Sequence, residues 1–224
     1  MKRFEINAVL EEACRQTLLC RMFLKADPNC YSCFPLKSSE DLFLYMDEQD
    51  FRLDGYVVRR MKDIVEINSK VDLTNDILES EGVTSQIKKI DIDLSSWEGV
   101  LSYLSHNRLN AIYESEDRNS GNIDYVIGRI EKKDDRYIYV RGFDTDGKWE
   151  EKPTRIAFSE LVSISFGTRY VEVFSKYLPP CPVERDSSLL PKSLPSLTTH
   201  GGQNHALFLS YQRHLCLEDR LRDQ

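Results

Sequence analysis

The sequence predicts a mainly β protein with a few short helices, built as two tandem small β-barrels related by an internal repeat. Short aromatic and β-branched runs recur between residues 34 and 174, and several alternate apolar with polar residues as half-buried strands do. Residues 34–67 and 127–166 repeat one order of features. About five short strands per copy cannot bury both faces of an open sheet, and curling into a barrel removes the exposed edges. A single β-sandwich or a mixed α+β domain is the alternative.

Taken in order, the elements begin with a helix over about 5–13, followed by a strand that reaches residue 24. Leu42-Phe43-Leu44-Tyr45-Met46 is an apolar run bounded by charges, and Gly55-Tyr56-Val57-Val58 follows an Asp-Gly turn signal. Residues 70–94 read as a polar, acidic linker. Ser95-Ser96-Trp97-Glu98 carries the Ser-x-x-Glu spacing of a capping box, which predicts a helix over about 96–105. Tyr137-Ile138-Tyr139-Val140, Arg155-Ile156-Ala157-Phe158 and Val162-Ser163-Ile164-Ser165-Phe166 read as strands, and Tyr170-Val171-Glu172-Val173-Phe174 continues their alternation.

Within the repeat, each copy has a strand, a charged turn, an aromatic-aliphatic strand, an acidic loop with Phe51 or Phe143, an Asp-Gly turn and further strands. Each ends on an acidic residue before a short apolar strand: Asp63-Ile64-Val65-Glu66-Ile67 against Glu160-Leu161-Val162-Ser163-Ile164. A helix and a strand precede each copy, at 5–24 and 96–116. The first unit is therefore placed at 1–80 and the second at 81–178. Residues 179–224 are rich in Pro and Ser, which suits a largely disordered linker with a helix-compatible stretch over 204–221.

The 224 residues are 41% hydrophobic and 30% charged, enough apolar material for a core. No run approaches the ~18 apolar residues of a membrane helix, and Glu5, Glu11 and Glu12 break the apolar stretch a signal peptide needs. A cytoplasmic protein is expected, with no membrane partner. Thirty Lys and Arg face 37 Asp and Glu, a formal charge of -7 that disfavours a general grip on nucleic acid. The six cysteines are too few for a disulfide scaffold.

Cys30 and Cys33 form a CxxC, a weak metal candidate because zinc needs four ligands and a second CxxC is missing. The acidic groups Asp47-Glu48-Gln49-Asp50 with Asp54, and Asp144-Thr145-Asp146, suit turn chemistry better than a calcium loop. Arg59, Arg60, Lys132 and Lys133 are the densest cations; with Tyr56, Tyr137 and Tyr139 they suit either a stacking platform for single-stranded RNA or edge-strand protection. No Gly-x-Ser-x-Gly, P-loop or Gly-x-Gly-x-x-Gly occurs, and the body holds a single histidine, His106, at a helix end. Phe143 and Trp149 are the expected exposed aromatic contacts.

The order of helix, bent strands and final short strand resembles SH3-like and Sm-like small barrels over about 12–178. The Asn-containing loop and Arg-Gly turn of Sm proteins are missing from the matching positions, so no RNA-binding residue is carried over. The leading expectation is a non-catalytic binding or adaptor protein that meets a protein partner or itself and needs no cofactor. An Sm-like RNA-associated module is the alternative, and an enzyme or metal protein using the CxxC or acidic loops the third.

Overall fold

The computed structural model describes residues 1–25, 27–69, 72–118 and 120–182. The expectations for residues 183–224, including the helix over 204–221, lie outside the described residues. Helix α1 (Arg3–Gln16) precedes strands β1 (Cys20–Leu24), β2 (Asp27–Ser38), β3 (Leu42–Gln49), β4 (Arg52–Arg60) and β5 (Ile64–Asn68). Helices α2 (Leu73–Ser80) and α3 (Trp97–His106) follow. Then come β6 (Ala111–Glu116), β7 (Ile123–Lys133), β8 (Tyr137–Gly142), β9 (Thr154–Ala157), β10 (Leu161–Phe166) and helix α4 (Arg169–Tyr177).

The chain is mainly β: its ten strands form one antiparallel sheet in the order β5-β1-β2-β3-β4-β10-β6-β7-β8-β9. The sheet is not closed, so the pairing contains two five-stranded halves rather than two closed barrels. Both halves place their strands fifth, first, second, third, fourth. The repeat also holds at the level of register. Cys33 opposes Asp47 as Gly128 opposes Gly142, and Leu44 opposes Val58 as Tyr139 opposes Arg155. The bulge at Pro35/Lys37 recurs at Ile130/Lys132. Even the helix exits match: Thr17 and Arg108 both adopt left-handed φ, 57° and 52°, three residues before the first strand of their half. The next amide, Leu18 or Leu109, then bonds back to Ala13 or Leu104 and closes the last turn.

This shared register defines an inner and an outer face for each half. The inner face of the first half carries Met22, Cys33, Phe43, Tyr45, Val57 and Ile67, and α1 closes it with Ile6, Leu10 and Ala13. The inner face of the second half carries Tyr113, Ile138, Val140 and Ile156 under Val100, Leu101 and Leu104 of α3. Because β4 pairs with β10, Val58 lies opposite Ile164. The outer face of the first half thus continues into the inner face of the second, and both belong to one core cluster. Five consecutive buried residues in β3 reflect this two-sided covering.

Four sequence expectations need correction. The stretch 70–94 is not a solvated linker over its described residues 72–94: Leu78, Val83, Ile92 and Leu94 are buried in the large core, roofing the outer face of the first half. Residues 170–174 are not a strand: Thr168 caps Val171, and Val171 and Phe174 lie on one side of helix α4. Their alternation with period two overlaps a helical i, i+3 pattern. The capping box before α3 is not formed, since Ser96 is the N-cap, Ser95 bonds to Asp93 and Glu98 pairs with Lys133. Residues 179–181, read as the start of a linker, turn back on the fold: Pro179 accepts from Trp149 and Cys181 is buried.

Candidate binding surface

The four cations singled out in the sequence do not share a face. Arg59 and Arg60 are buried where the halves join. Arg59 donates to Glu114 across the β4–β10 boundary at 3.0 Å, and Ser163 donates to the same carboxylate at 2.5 Å. Arg60 binds Asp63 through Nε at 2.6 Å and Glu116 through Nη2 at 2.9 Å. Desolvated arginines must be paired in this way, so their charge is spent on holding the halves together. Lys133 is tied to Glu98 of α3 at 3.1 Å. Lys132 is exposed and lies 4.6 Å over the ring of Tyr139.

Phe143 is buried rather than exposed. It stacks on Phe174 and meets Trp149 edge-on at 5.6 Å, so it closes a small aromatic cluster beneath α4. Trp149 is half-buried, with its indole N–H committed to Pro179. Tyr56 stacks on Phe166 and bonds to the carbonyl of Lys88, away from Tyr137 and Tyr139.

The CxxC lies inside β2, where a spacing of three puts Cys30 and Cys33 on opposite faces. Cys33 instead faces Cys20 across β1 and β2, both fully buried. Burial pushes the Cys20 thiol up to about 12, and the Cys33 thiol well above its ordinary value. Such thiols are inert rather than nucleophilic. Among the described residues no three His, Cys, Asp or Glu side chains group as metal ligands. Two of the acidic groups do turn chemistry: Asp144 accepts from the amides of Asp146 and Lys148, and Glu48 accepts from the Phe51 amide, whereas Asp54, inside β4, accepts from the Arg169 amide at the start of α4. Asp47 is pushed up to about 7, chiefly by burial, with Asp54 and Glu48 adding to the effect.

The distinctive surface is the outer face of the second half. Register equates Phe34, Leu42, Leu44, Met46 and Val58 with Arg129, Tyr137, Tyr139, Arg141 and Arg155. The first set is at most 5% exposed. In the second set Arg155 is exposed and the rest half-buried, and none belongs to either core cluster. Arg155 lies 4.6 Å over Tyr137, which matches the Lys132–Tyr139 stack. Asp134 fixes the corner by accepting from the amides of Arg136 and Tyr137 and from the Tyr139 hydroxyl. Those backbone bonds hold its carboxyl below the usual carboxylate range. Arg141 is oriented by Glu131, and Tyr125, 72% exposed, extends the surface along β7.

Sequence reasoning singled out Lys132, Tyr137 and Tyr139 but missed Tyr125 and Arg155. Laying Leu42-Phe43-Leu44-Tyr45-Met46 over Tyr137-Ile138-Tyr139-Val140-Arg141 contains the signal. Alternate positions stay apolar, while the others change from aliphatic to aromatic or cationic. Comparison with protein families, curated proteins and solved structures finds no match to the chain. No helix among the described residues is long and apolar enough to cross a membrane.

Proposed function

We propose that this is a non-catalytic adaptor protein of the cytoplasm that engages a protein partner through the outer face of its second half. In this reading each half is a curled, barrel-sized unit, and the two are welded edge to edge by Arg59 and Arg60. The observation that carries the proposal is the change of chemistry at equivalent positions. Where the first half has aliphatic core, the second presents tyrosines and arginines, the residue types that dominate interface energies. A half-buried aromatic surface on a rigid sheet loses little side-chain entropy on binding.

A second reading, an Sm-like RNA-associated module, is favoured by the two cation–tyrosine stacks, because bases also stack on such groups. The net charge of -7 weighs against it. A photo-crosslinking residue placed at Tyr139, with a control at Val65, separates the two in cells that make the protein. Protein adducts specific to position 139 are expected. RNA adducts there would establish the second reading, and no adduct at all would refute both.

A further inference from the structure

The first half contains a worked example of how its outer face is occupied. Residues 90–94, Ile-Asp-Ile-Asp-Leu, lie across that face. Ile92 and Leu94 are buried at 1% and 2%, while Asp91 and Asp93 stay exposed. Lys37 holds this stretch by donating to the carbonyl of Ile92 at 2.7 Å, with the Asp91 carboxylate 3.9 Å away. Ser39 adds a bond to the carbonyl of Leu94 at 2.7 Å. The register makes Lys132 the counterpart of Lys37, since Lys37 opposes Leu44 and Lys132 opposes Tyr139. Lys132 is exposed, and its contact is the ring of Tyr139.

We infer that the outer face of the second half is the docking site for an extended acidic polypeptide segment of a partner protein, with Lys132 gripping it as Lys37 grips residues 90–94. The inference rests on the protein-binding reading above and adds the chemistry of the occupant. The charge of the face selects that chemistry. Aliphatic Leu44 and Val58 accept isoleucine and leucine, whereas Tyr139 and Arg155 at the same positions ask for carboxylates with apolar groups between them. Lys132 and Arg155 flank Tyr139 on the two neighbouring strands, β7 and β9. Two inter-strand steps make about 10 Å, which about three residues of extended chain span at about 3.3 Å each. Arg155 and Lys132 already lie over the tyrosine rings, so a carboxylate meets cations whose positions are set in advance. The polypeptide precedent on the first half favours a segment of protein over a nucleic acid.

Fluorescence anisotropy with three labelled probes on the full chain tests this. The probes are an acidic peptide Ile-Asp-Ile-Asp-Leu flanked by serines, its lysine counterpart Ile-Lys-Ile-Lys-Leu, and an oligouridine. Saturable binding of the acidic peptide is expected, weakening with added salt and falling by about tenfold in Lys132→Glu/Arg155→Glu. Both substitutions are at exposed positions, and an unchanged melting temperature confirms that the variant is folded. Equal binding of the lysine peptide, unchanged binding by the double variant, or no peptide binding would overturn the inference. Preferential binding of oligouridine would overturn it in favour of RNA. The protein-binding reading stands or falls separately, on the adducts at position 139.

Discussion

The Arg59–Glu114 contact makes a quantitative test of how the two halves are joined. The Arg59 side chain is 9% exposed and that of Glu114 is 32%, with 3.0 Å between them. Two unit charges at that distance attract by about 5 kcal/mol at an effective dielectric of about 20. Water reaching Glu114 screens part of this, and desolvating Arg59 offsets more. Glu114→Leu leaves Arg59 buried without its counter-charge and is expected to cost about 2 kcal/mol. Arg59→Met costs about 1 kcal/mol, because Glu114 keeps Ser163 and solvent. The double variant Arg59→Met/Glu114→Leu removes both charges and fills the site with apolar groups. It should lie within about 1 kcal/mol of the parent, a coupling of about 2 kcal/mol. Urea unfolding of the four proteins, with a common slope, measures each term. Additive costs, with the double variant about 3 kcal/mol below the parent, would refute the claim that this pair acts as a unit across β4 and β10.

The repeat predicts unequal costs at equivalent positions: Leu44→Ala should destabilise by about 2–4 kcal/mol, but Tyr139→Ala by about 1 kcal/mol, in the same urea experiment. Asp47 holds its proton up to about 7, whereas an unfolded aspartate titrates near about 4, so the folded state binds the extra proton in between. Stability is therefore lost as pH rises from about 4 to about 7. Asp47→Asn should abolish that slope, matching the parent at pH 4 and exceeding it at pH 8; a gain at pH 4 would sink the idea. Gly55 and Gly121 both have positive φ, 81° and 71°, but only at Gly55 would a Cβ meet backbone, 2.6 Å from Gly167. Thermal melts should show Gly121→Ala costing about 1 kcal/mol and Gly55→Ala clearly more. Cys20 and Cys33 should resist a thiol reagent in the native protein and react only after unfolding.

Much of the fold is legible in the residues because local chemistry specifies it. Alternation marks β8 and β10, and the Asp-Gly signal at Gly147 falls in the loop between β8 and β9, but the one at Gly55 does not mark a turn: Gly55 takes its positive φ inside β4, beside the register shift against β3, and Asp50 and Phe51 make the β3–β4 turn. The parallel order of residues 34–67 and 127–166 also foreshadows two halves of the same strand order. Residues 90–94 misled because their aspartates make the stretch look solvated, although its apolar residues point to the core in alternation. Helix α4 misled because five residues with alternating valines fit either period, and only the Thr168 cap and the aromatic cluster beneath it decide.

The surface was less legible than the fold. Sequence alone could rank Arg59, Arg60, Lys132 and Lys133 together, since all four are cations near strand ends. Tertiary structure separates them: three are held in ion pairs within hydrogen-bond reach, and Lys132 lies over a tyrosine ring. The sequence by itself determined the β character, the duplication and the acidic balance, because these follow from local propensity, internal similarity and a sum of charges. Only the tertiary structure decided that β4 meets β10, and hence which outer face is roofed and which is open. That depends on strand partners more than 100 residues apart, Arg59 with Ser163 and Val58 with Ile164, a pairing set by burial and charge across the boundary that no local pattern encodes.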